Sequence, residues 1–201
     1  MITDPRLDDD HDEKPDKGDD GLLKQLLKTR AIFVEDQVSD TLARKVHSQL
    51  ILMQQMDDKT PVTVYINSPG GSADSGFAIY DFMRFVKPPI RTVVAGLCAS
   101  AAVMIYLGAS KERRFSLPNS RFLLHQPSTM MFGSASDIQI NADEILKLRE
   151  RYNQIVGAET GKTVEQVTKD ADRDFWMSPS QAKEYGLVGR VVKHITEIEK
   201  A

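Results

Sequence analysis

Five short runs rich in apolar residues, at 31–34, 62–66, 92–95, 122–124 and 188–192, are separated by stretches in which apolar residues return every three or four positions. A short continuous run suits a strand buried on both faces, whereas the three-to-four repeat lays one apolar stripe along a helix. Alternation of the two predicts an α/β architecture, with helices packed on a largely parallel sheet. The 201 residues suffice for one such domain with a sizeable core and leave little room for a second.

Four helices can be placed from their signals. Ser39 or Asp40 can cap one whose stripe is Leu42, Val46, Leu50 and Met53, and Asp74 another that carries Phe77, Ile79, Phe82 and Phe85 and stops at Pro88-Pro89. The longest is expected from about 136 to 156, with Ser136 and Gln139 as a capping box and Ile138, Ala142, Ile145, Leu148, Tyr152 and Ile155 along it. Ser178-Pro179-Ser180-Gln181 predicts a sharp helix start, ended by Gly186.

Residues 1–21 read differently. Nine acidic side chains fall within the first twenty positions with no apolar run, too little hydrophobic surface to offset ordering, so this segment is expected to be a mobile arm ahead of a single domain at 22–201. The arm is the opposite of a signal or transit peptide, and no stretch holds the roughly 18 uninterrupted apolar residues of a bilayer span. The expectation is a cytoplasmic protein. A net charge of −3 offers no basic footprint for nucleic acid, and the single cysteine, Cys98, excludes an internal disulfide or a multi-cysteine metal site.

Four segments can carry chemistry. In Tyr65-Ile66-Asn67-Ser68-Pro69-Gly70-Gly71-Ser72 the two glycines free the backbone either to make a plain strand-to-helix turn or to aim N–H groups at negative charge. Gly96-Leu97-Cys98-Ala99-Ser100-Ala101-Ala102 sets a serine among small residues at a helix start, which suits a nucleophile and close helix packing alike. Leu123-Leu124-His125-Gln126-Pro127 ends a strand on a histidine, and the proline forces the chain out of the sheet. Asp170, Asp172 and Asp174 precede Phe175-Trp176, where any of the three can orient a histidine or simply lie on a solvated turn.

Taken in order, these segments resemble the ClpP family of proteolytic subunits. Further matching pieces are Leu117-Pro118-Asn119-Ser120, Glu144-Ile145-Leu146-Lys147, Asp172-Arg173-Asp174 and Glu184-Tyr185-Gly186-Leu187, and the likeness runs over about 28–192. The resemblance implies a crotonase-like α/β fold with a projecting handle helix, here 136–156 with 128–135 ahead of it. It implies a serine endopeptidase with Ser100 as nucleophile, His125 as base and Asp174 as orienting carboxylate, and an oxyanion hole from the Gly71 and Ala101 N–H groups. It also implies two stacked seven-membered rings, with Asp172 and Arg173 at ring contacts, and an AAA+ unfoldase of the ClpX, ClpA or ClpC type. That partner would dock over Tyr65, Phe85, Phe115 and Leu117 and deliver unfolded polypeptides. No metal or other cofactor is implied at the active site, ATP being used by the partner.

Several positions depart from the family pattern. Ala101-Ala102 stands where Met-Gly is usual, Ser134 and Gln139 where glutamine and glutamate are usual, and Thr63 where an aromatic is common; the arm lacks the usual Arg-Gly-Glu-Arg. These departures imply a divergent paralogue, able to share rings with a second kind of subunit. Two other readings are a non-catalytic ring subunit and an acyl-CoA enzyme of the same broad fold, the latter leaving the three matched side chains unexplained.

Overall fold

The computed structural model describes residues 27–127 and 132–199, together with Gly21 and Gln25. The acidic arm, Gly21 apart, and the start of the segment ahead of the handle lie outside the described residues. The elements are β1 (Ala31–Val34), α1 (Asp40–Met56), β2 (Val62–Ser68), α2 (Ala73–Phe85), β3 (Ile90–Ala99), α3 (Ala101–Leu107), β4 (Arg114–Ser116), β5 (Arg121–Leu124), α4 (Ala135–Thr160), α5 (Val164–Asp170), β6 (Phe175–Met177), α6 (Pro179–Tyr185), β7 (Arg190–Val191) and α7 (Thr196–Glu199). A 3₁₀ turn, Lys111–Arg113, leads into β4. Among the described residues no helix is long and apolar enough to cross a membrane.

The expected α/β architecture is present. Strands run β1-β2-β3-β4-β7, all parallel; β5 also pairs with β3, and β6 pairs antiparallel with β5. Ile32, Val34, Val62, Val64, Ile66 and Val94 point from one face into the main core with the inner stripes of α1 and α2. Each such side chain, fully buried, stabilises by about 1.5–3 kcal/mol. A smaller cluster of Val93, Phe115, Val192 and Ile198 covers part of the opposite face, with Tyr65 packed on it.

β3 does more than its length suggests. Its first half pairs with β4 at 92–94 and its second half with β5 at 97–99, so the sheet forks along a single strand. Gly96 sits at the fork with φ +139°, and a Cβ there would lie 2.5 Å from the Asn67 Oδ1. That oxygen accepts the Leu97 N–H at 2.9 Å across the register shift between β2 and β3, occupying a donor the bulge frees from the ladder. Beyond the fork β3 ends at Ala99, and the next two residues, Ser100 and Ala101, line a cleft.

Local signals hold where a cap is unambiguous. Ser39 accepts from the Leu42 N–H to start α1, and Ser178 with Gln181 forms the expected capping box of α6 before Gly186 ends it at φ 101°. Two starts need correction. α2 is capped by Ser72, whose hydroxyl accepts from the Ser75 N–H, while Asp74 sits inside the first turn. α4 is capped by Ser134, whose hydroxyl accepts from the Asp137 N–H, so Ser136 and Gln139 are interior positions and Gln139 donates to Asp143 instead. Phe85 ends α2 with 79% of its surface exposed, outside the inner stripe on which it was expected.

The 26 residues of α4 divide in two. Its first half is exposed, with Ile140 and Leu146 bare, and its second half is fixed by Tyr152, Asn153, Val156 and Gly157. α3, every residue of it buried, is the hub against which α2 and α4 both pack. Gly76 permits the α2 approach, since a Cβ there would already stand 3.2 Å from the Ala101 Cβ.

Candidate active site

Ser100 is one of two described non-glycine residues with positive φ, at φ 55° and ψ −124°. The strand must turn straight into a helix, and this conformation, of order 1–3 kcal/mol above an ordinary one, makes the turn in a single residue. Three contacts hold it. The Ser100 N–H donates to the Leu123 carbonyl at 3.0 Å, and the Ser100 carbonyl accepts from the Val103 N–H at 2.9 Å. The Tyr152 hydroxyl from α4 donates to the same carbonyl at 3.4 Å.

The Gly70-Gly71 turn lies directly over Ser100. A Cβ at Gly70 would fall 2.6 Å from the Ala99 carbonyl oxygen and 2.7 Å from the Ser100 Cβ. Gly71, at φ +148°, is bridged to Val38, which donates its N–H to the Gly70 carbonyl and accepts from the Ser72 N–H, both at 2.8 Å. Among the described residues neither the Gly71 N–H nor the Ala101 N–H has a protein acceptor. Both glycines, Ser100, Ala101 and His125 line one cavity of about 900 Å³, with Phe77, Met104, Ile145, Leu148 and Tyr152 as its apolar wall.

His125 and Asp174 meet through the sheet. β5 and β6 pair antiparallel with Leu124 opposite Phe175, and continuing that register by one step sets His125 opposite Asp174. The His125 Nδ1 lies 3.7 Å from the Asp174 Oδ1, an ion-pair separation longer than a hydrogen bond. Gln126 fixes the same turn from behind. Its N–H donates to the Ala171 carbonyl at 2.9 Å, its Nε2 to the Asp172 carbonyl at 3.0 Å, and its Oε1 accepts from the Arg149 Nη1 at 3.2 Å.

Ser100, His125, Gly71 and Ala101 line one cleft, and Asp174 stands beside His125 outside that lining. Asp172 and Arg173 are exposed on the turn before Asp174. Of the residues expected on a docking face, Phe85 and Leu117 are exposed and Tyr65 is half-buried, stacked on Phe33 with ring centroids 5.3 Å apart. Phe115 is fully buried and lies beneath that face rather than on it. Among the described residues there is no group of three or more His, Cys, Asp or Glu side chains placed to hold a metal ion.

Reasoning from the sequence missed Val38 and gave Tyr152 no role beyond the apolar stripe of its helix. The signal for Tyr152 was present: a tyrosine on a buried stripe needs a partner for its hydroxyl. Val38 acts through its backbone, which leaves no mark on residue type.

Residues 16–195 match the family model described as Clp protease. The chain is 42% identical over 194 residues to the ATP-dependent Clp protease proteolytic subunit 2 of Treponema denticola, covering 96% of this chain and 97% of that one. It is 46% identical over 195 residues to the proteolytic subunit 3 of Rhizobium meliloti, covering 96% and 100%. The structure of a ClpP1 mutant from Listeria monocytogenes superposes with a TM-score of 0.82 at 40% identity, over 88% of this chain and 99% of that one.

Proposed function

We propose, from the premise that this chain belongs to the Clp protease family, that it is a catalytically active serine endopeptidase subunit. Ser100 is the nucleophile, His125 the general base and Asp174 the carboxylate that orients the imidazole. The observation that carries this reading is the strained Ser100, poised at the start of α3 on the cavity that His125 also lines, with Asp174 behind the imidazole. A serine held in that conformation by three separate contacts is set for more than packing.

The steps follow from the placement. His125 takes the Ser100 proton as Oγ attacks a peptide carbonyl, and the Gly71 and Ala101 N–H groups receive the oxyanion. Collapse expels the amine, which takes its proton from His125, and water then releases the acyl group by the reverse sequence. The reaction needs no metal or organic cofactor.

The same reading makes the working form two stacked seven-membered rings in the cytoplasm, built from this chain alone or shared with a second subunit of the type. A handle such as the exposed half of α4 suits ring-to-ring packing, and Asp172 and Arg173 are exposed and available for it. An AAA+ unfoldase would dock over Phe85, Leu117 and Tyr65, above the buried Phe115, and feed unfolded polypeptides to the chamber.

Fluorophosphonate labelling of the assembled protein tests the reading. One adduct is expected at Ser100, lost in His125→Ala, and no adduct on assembled protein would refute it. The second reading, a non-catalytic ring subunit, draws on the open 3.7 Å separation of His125 and Asp174, and the same experiment separates the two.

A further inference from the structure

We infer that Tyr152 is a positioning residue for the oxyanion hole: its hydroxyl, through the Ser100 carbonyl, fixes and polarises the peptide group whose N–H is the Ala101 donor. The inference rests on the peptidase reading above and assigns to that site a side chain outside the triad.

The Ser100 carbonyl and the Ala101 N–H belong to one planar amide, so whatever orients the oxygen orients the hydrogen. Relaxation of Ser100 from its ψ of −124° toward an ordinary conformation would rotate that plane and turn the N–H out of the cavity. Two donors resist the rotation, the Val103 N–H at 2.9 Å and the Tyr152 hydroxyl at 3.4 Å. The first belongs to α3 and moves with it. The second comes from α4, so it ties the amide to an independent element.

A hydrogen bond to an amide oxygen also draws electron density from its nitrogen and makes the N–H a stronger donor. Tyr152 suits this duty because its side chain is buried in the cavity wall and its hydroxyl reaches the Ser100 carbonyl from there. Burial, with smaller contributions from Cys98 and Tyr185, pushes its phenol well above the usual range, so the group remains a neutral donor at any working pH.

The test is Tyr152→Phe in the assembled, full-length protein, which keeps the ring and removes the hydroxyl. With a fluorogenic peptide, kcat should fall about 5- to 10-fold with KM within about twofold of the parent, the size expected for weakening rather than deleting one oxyanion donor. Affinity for a peptide boronic acid, whose tetrahedral adduct occupies the oxyanion site, should fall by the same factor. A packing role would lower thermal stability and leave both readouts unmoved, and that result overturns the inference. Tyr152→Met, which keeps apolar bulk, carries the same test if the phenylalanine variant does not assemble. A parent protein that neither labels nor cleaves would overturn the peptidase reading and this inference together; an active parent matched by its variant overturns this inference alone.

Discussion

His125 and Asp174 face each other across an antiparallel pair, one step beyond Leu124 and Phe175, with Nδ1 and Oδ1 3.7 Å apart. The carboxylate side chain is 64% exposed, so it can close on the imidazole by rotating its own side chain without moving the sheet. His125→Ala should therefore remove activity almost entirely, by about a million-fold, whereas Asp174→Asn should leave labelling slow but detectable, with kcat down about 10,000-fold. Rates of fluorophosphonate labelling of the two variants against the parent measure the difference. Equal rates in the parent and in Asp174→Asn would show that another group orients the imidazole.

Gly70 and Gly71 have no room for a Cβ and hold φ values of +88° and +148°. Gly71→Ala would drive a methyl group to 2.4 Å from the Val38 carbonyl oxygen and break the bridge that aims the Gly71 N–H. The expected loss is about 100- to 1,000-fold in kcat, that of one oxyanion donor, measured on protein shown to be assembled. Ala101 donates through its backbone alone, so a change of its side chain to another small residue should cost far less.

Much of the fold is legible in the sequence, and the limits are physical. The strands at 31–34 and 122–124 and the caps Ser39 and Ser178 follow from residue type and local spacing, and there expectation and structure agree. β4 and β6 are three residues each, too short for any periodicity, and exist because β3 and β5 supply the ladder. Yet β6 is what brings Asp174 to His125, so the choice among three aspartates could not come from local pattern and came from the family resemblance. The start of α4 was misplaced because Ser134 and Ser136 both lie within reach of a suitable partner. Ser134 wins because its hydroxyl both accepts from the Asp137 N–H and donates to the Asp137 carboxylate.

Cys98 lies two residues before Ser100 but is fully buried in the ladder between Ser68 and Phe122. Burial pushes its thiol far above the ordinary range, so the reactive thiolate is not formed near neutral pH. Iodoacetamide at pH 8 should leave the assembled protein unmodified and alkylate Cys98 fully in denaturant, as read by intact mass. Rapid modification of the folded form would mean that the end of β3 opens in solution, and with it the nucleophile turn.

Arg114 begins β4 with no exposed surface, and Glu159 from the last turn of α4 is its ion-pair partner. Glu159 also accepts from Arg84 at 2.7 Å and from the Tyr80 hydroxyl at 3.3 Å, so one carboxylate joins α2, β4 and the base of the long helix. The Arg114 guanidinium keeps bonds to the Ala109 carbonyl at 2.8 Å and the Glu159 carbonyl at 3.1 Å whatever the side chain at 159, but these dipoles do not neutralise its charge. Glu159→Ala should therefore cost about 3–5 kcal/mol, because it strands a buried cation and does not merely delete a contact. Urea unfolding of the variant measures that cost, and pairing the change with Arg114→Met should recover most of it. A double variant as unstable as the single one would locate the loss in packing at the foot of α4 instead of in the uncompensated charge.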